Sequence, residues 1–209
     1  MQEDYEGLAI KIEYFWDWFL SREYEFRNIT DPYEVKEALD NQILSFGLFT
    51  WEIGINEQQK HYLLISPNSN AERLKISKMI VEAAPPLSQW DFYDCKPPHA
   101  HWDFKIKLYD AFMILQEIDT SRWEFVWIPE EEKRLKIFLK LPELRNFEED
   151  DLAVAAEVAL THILGEEFKI NHLAALTIVS EWNPSQKIAA KPLKELKKRI
   201  EIFWDTSLY

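Results

Sequence analysis

The passage Asp94-Cys95-Lys96-Pro97-Pro98-His99-Ala100-His101-Trp102-Asp103 holds the densest group of polar, ligand-type side chains in the sequence. His99 and His101 stand two residues apart, a spacing that puts both imidazoles on one face of an extended strand. Two imidazoles joined by a carboxylate, here Asp103, form a donor set that holds zinc or iron. Asp94 and Cys95 lie near enough in sequence to complete such a site. Read this way, the His99/His101/Asp103 cluster belongs to a metal-dependent hydrolase carrying a divalent transition metal. The competing reading is a proline-rich connection that enters a strand with its polar side chains in water.

A second group consists of His162, Glu166 and Glu167. His162 and Glu166 are one helical turn apart, and a His–Glu pair lining a cleft can move protons. Gly165 lies between them and marks a helix C-terminus, which favours a capping role. The bases Lys187, Lys191, Lys194, Lys197, Lys198 and Arg199 follow one another with Glu195 as the acid among them. Such a run on an apolar-striped helix suits an acidic partner, a membrane surface or RNA, but a solvated helix face carries the same bases and is the favoured reading. Tryptophan is abundant, with nine residues. Trp51, Trp90, Trp123 and Trp127 fall on the apolar phase of their strands and read as core. Trp18, Trp102 and Trp182 have no such assignment and read as surface or interface.

Several chemistries are excluded by what these residues do not spell. No GxGxxG or GxxxxGK[ST] loop occurs, nor a GxSxG elbow or an HExxH helix. Cys95, the one cysteine, rules out an internal disulfide and a multi-cysteine zinc site. The formal net charge of −13 repels phosphate backbones and counts against nucleic acid as the main partner. The opening residues carry acids rather than a basic leader, and charges interrupt every apolar run short of a membrane span. A cytoplasmic protein with no membrane association and no expected cofactor follows.

The elements that must position these residues are read from periodicity. Leu8, Ile12, Phe15, Trp16 and Phe19 form the apolar stripe of a first helix. Ile10, Tyr14 and Trp18 form a second stripe that needs its own cover, and they are the candidate interface residues. Asp31, Pro32 and Glu34 predict a capped second helix. Phe49, Trp51, Ile53 and Ile55 alternate as a half-buried strand, HYLLIS pairs with it, and Ser69 caps a helix that stops before Pro85-Pro86. QWDFYDC adds a strand, and WDFKIKLYDAFMILQEID two more.

The order then returns. Trp123, Phe125 and Trp127 alternate, RLKIFLKL pairs with them, Asn146 caps an acid-led helix, and LAALTIVS closes the unit. A last helix begins at Pro192 with Leu193, Leu196, Ile200 and Phe203 inward. The expected fold is therefore α+β, an antiparallel or mixed sheet with helices on one face and two degenerate ββαβ, ferredoxin-like halves at about 48–95 and 122–181. With four glycines and no Gly- or Ser-rich linker, residues 1–209 read as a single compact domain.

YFWDWFLSREYEF and THILGEEFKINHLAALTIV resemble a group of uncharacterised bacterial proteins, in which an aromatic first helix precedes a hairpin. A late Leu-Gly-Glu turn, matched here by Leu164, Gly165 and Glu166, leads into a strand. That resemblance implies a bacterial origin and one domain, and it transfers no activity. The residues themselves favour a non-catalytic binding or regulatory module that works through a protein partner or a homodimer, with the metal hydrolase as the alternative.

Overall fold

Aromatic side chains spaced three and four apart decide the first helix of this computed structural model, which describes residues 2–28, 32–142 and 147–206. Helix α1 (Gln2–Arg27) buries Ile12, Phe15, Trp16, Phe19 and Phe26. Their rings meet edge-on or stacked, Phe19 against Phe26 at 4.8 Å and Phe19 against Trp90 at 5.1 Å. Helix α2 (Pro32–Leu44) adds Leu39 and Ile43 to the same core. Pro32 opens it as expected, whereas the proposed cap Asp31 lies outside the described residues.

Strands β1 (Thr50–Ile55) and β2 (His61–Ser66) pair antiparallel, helix α3 (Ala71–Glu82) crosses over, and β3 (Trp90–Tyr93) runs parallel to β2. Leu63, Leu64 and Ile65 of β2 are all buried, so both faces of the strand are covered there. The cap of α3 is Asn70, not Ser69: its side chain accepts from the Arg73 amide. Asn68 and Ser69 take φ of 52° and 55° to turn the chain out of β2, so the extended cap position falls one residue later. Where α3 ends, the amides of Ala83 and Ala84 donate to the carbonyls of Met79 and Val81. The carbonyl of Ile80, between them, accepts the buried Trp16 indole at 2.7 Å.

The second half repeats this order with longer elements. Strands β4 (Lys105–Tyr109) and β5 (Leu115–Asp119) form a separate antiparallel hairpin. Strand β6 (Glu124–Pro129) pairs antiparallel with β7 (Leu135–Lys140). Helices α4 (Glu149–Leu164) and α5 (Glu166–His172) cross over to β8 (Leu173–Val179), parallel to β7. Helix α6 (Pro184–Ala189), the short strand β9 (Lys191–Pro192) on the outer edge of β6, and α7 (Leu196–Thr206) complete the chain. Pro192 therefore closes a strand rather than opening the last helix. The strand β7 shows strict alternation, with Leu135, Ile137 and Leu139 fully buried between half-buried neighbours. Each such side chain contributes about 1.5–3 kcal/mol by leaving water.

The fold is α+β with mixed sheets, ordered β1-β2-β3 and β8-β7-β6-β9 beside the β4-β5 pair. The stretches at 48–95 and 122–181 share one topology, an antiparallel hairpin followed by a helical crossover to a parallel strand. That crossover joins adjacent strands in each sheet. A ferredoxin-like plait would leave a strand's width between them, so the observed winding departs from the expected one at this point. The contacts divide the chain into two compact units, Met1–Lys96 and Pro97–Tyr209, each with its own hydrophobic core. The boundary between the two units falls at Pro97-Pro98, in a chain whose scarce glycine reads as one body.

Candidate functional site

His99, His101 and Asp103 are placed by the segment that leads into β4, and they part company there. The His99 ring stacks on His162 of α4, 4.2 Å between centroids and 18° between planes. Its backbone N–H donates to the His162 carbonyl at 2.8 Å. His101 is exposed, and the Asp103 carboxylate accepts the Lys105 amide at 3.1 Å, steering the chain into β4. Among the described residues no three His, Cys, Asp or Glu side chains gather as a metal group would. Trp102, unassigned by its spacing, packs edge-on against His162 at 5.1 Å and beside Phe104 at 4.8 Å.

The His162–Glu166 pair does not ride on one continuous helix. Gly165 separates α4 from α5 with φ 81° and ψ 160°, backbone that glycine adopts without strain. Glu166 is buried, and so is Lys169, which forms an ion pair with Glu157 and donates to Thr161 Oγ1 at 2.8 Å. The α4 cap is a box between Glu148 and Asp151, and Asn146 lies outside the described residues.

The basic run is spread over α6, β9, a 3₁₀ turn and α7 rather than along one helix face. Lys187, Lys194, Lys197 and Lys198 are exposed, while Lys191 is half-buried and Arg199 is paired with Glu195 at 2.6 Å. Trp90 and Trp123 are buried as expected, and Trp51 and Trp127 are half-buried. Trp182 donates to Glu124 at 3.0 Å. On α1, Ile10 and Tyr14 are exposed, but Trp18 is half-buried against Phe15 and Phe26, with the Arg22 guanidinium 5.8 Å over its ring.

The most distinctive surface lies where the spacing showed only alternation. The β4–β5 hairpin turns through Ala111–Ile114 and exposes Phe112 by 70%, Met113 by 76%, Ile114 by 56% and, on the flanking strands, Tyr109 by 58% and Leu115 by 52%. Together they present apolar surface on the order of 500 Å², a size at which patches on monomers are commonly functional. The turn that carries them is fully built. Buried Asp110 accepts the backbone amides of Phe112 and Ile114 through Oδ1, both at 3.0 Å, and the Gln116 side-chain Nε2 through Oδ2 at 2.9 Å. The Ile114 amide, helped by Gln116 and the Phe112 amide against partial desolvation, holds the Asp110 carboxyl below the usual carboxylate range. Met113 takes φ 59° to close the loop. The signal in the sequence was an apolar run, AFMIL, directly behind an aspartate, with no glycine, proline or asparagine to mark a turn.

No family model, curated protein or solved structure matches this chain. Among the described residues no helix is long and apolar enough to cross a membrane.

Proposed function

We propose that this chain is a non-catalytic binding module that acts through protein–protein contacts, with the β4–β5 hairpin tip as its docking element. One observation carries this reading: five large apolar side chains are held outward by a turn whose polar groups are satisfied through Asp110. A preformed turn loses little conformational entropy on docking. Aromatic residues and methionine are also the types that anchor interfaces and adapt to a groove.

The kind of partner follows from area and charge. A patch on the order of 500 Å² is smaller than the ~800 Å² each side of a stable complex contributes, which suits a reversible contact. Two copies of a chain with net charge −13 repel one another, so a different protein is favoured, with an apolar groove and a basic rim.

Photocross-linking from p-benzoylphenylalanine at position 113, in extract of the native host, tests this. The expected product is one discrete adduct with another polypeptide. Excess unlabelled wild type suppresses it, and excess Phe112→Asp/Ile114→Asp protein does not. Equal suppression by both competitors, or diffuse labelling, would remove the hairpin from the docking role. An adduct of twice the chain's mass would assign self-association instead.

A further inference from the structure

A cavity of about 820 Å³ opens beside the C-terminal ends of the parallel strands β7 and β8, next to the first turns of α4. In sheets with parallel strands this is where small ligands enter, outside the carboxyl ends and under a helix N-terminus. The volume lies within the range of small-molecule sites. Leu141, Leu152, Leu176 and Ile178 supply an apolar lining.

The polar part of the lining has one sign. Glu149, Asp150 and Glu157 border the cavity, and no lysine or arginine does among the described residues. Glu157 is matched by Lys169, but Glu149 and Asp150 stand outside the capping box, which uses Glu148 and Asp151. A helix N-terminus in this position ordinarily receives a phosphate or carboxylate. Here the carboxylates of the first turn reverse that preference and repel anions.

From this combination we infer that the cavity beside β7, β8 and α4 is a binding site for a small organic cation, an ammonium group on an apolar body. The apolar part lies on the leucine and isoleucine lining, and the ammonium meets Glu149 and Asp150. This site is separate from the hairpin tip and does not depend on it.

Calorimetric titration of the full chain with 4-phenylbutylamine, 4-phenylbutanol and 4-phenylbutyrate tests the inference, because the three probes share one body and differ in charge. The amine is expected to bind once per chain, about tenfold more tightly than the alcohol, and the carboxylate not at all. Glu149→Gln/Asp150→Asn should bring the amine to the level of the alcohol. Ala153→Phe, an exposed helix position on the cavity wall, should fill the space and abolish both while the melting temperature stays near that of wild type. Equal binding of all three probes would overturn the cation preference. No amine binding at millimolar concentration, or amine binding that survives both variants, would overturn the site.

Discussion

The imidazoles of His99 and His162 lie face to face at 4.2 Å, and the two residues are tied again through the His99 amide and the His162 carbonyl. This contact docks the segment leading into β4 onto α4, and with Trp102 it forms a small aromatic cluster. Stacked ring pairs contribute about 0.5–1.5 kcal/mol beyond their buried area. His99→Ala should therefore lower stability by about 1 kcal/mol and speed hydrogen exchange of the amide at position 99. Exchange unchanged from wild type would mean that the backbone bond alone holds the segment.

The hairpin tip should loosen in acid. The folded-state pKa of Asp110 lies below its unfolded value, chiefly because its carboxylate accepts the Ile114 amide. Its contribution is therefore fully present above the ordinary carboxylate range and is lost as pH falls through the lowered folded value. Amide protection at Phe112 and Ile114, corrected for intrinsic exchange, should hold at neutral pH and drop only in strong acid. In Asp110→Asn the side-chain carbonyl still accepts both amides but has no proton to gain, so this acid step should vanish. A step of the same size in both proteins would place its origin elsewhere.

The members of the second stripe of α1, Ile10, Tyr14 and Trp18, should separate by stability. Trp18 packs on Phe15 and Phe26, so Trp18→Ala should cost about 2 kcal/mol, below the full cost of a buried aromatic because the ring is half-exposed. Ile10→Ala and Tyr14→Ala remove exposed side chains and should stay within about 0.5 kcal/mol. Sedimentation of the same variants reads association independently. A Tyr14→Ala protein with unchanged melting temperature and a smaller sedimentation coefficient would make that face an interface.

Periodicity alone determined the elements and much of their order. Leu135, Ile137 and Leu139 specify a strand because side chains alternate every second residue, whatever the strand packs against. The stripe from Ile12 to Phe19 specifies α1 in the same local way, and the repeated hairpin, helix and strand could be read from two such patterns in succession. Tertiary structure decided everything that depends on a distant neighbour. Ser69 has the right chemistry for a cap, but the turn out of β2 gives the cap to Asn70. His99 is two residues from His101 in sequence, yet its partner is His162, brought there by the packing of α4. The apolar residues around Phe112 resemble core residues by type, and only the placement of the hairpin leaves them outside. Residue type and spacing report which groups prefer to leave water, whereas the neighbour that covers them is set by contacts between segments far apart in the chain.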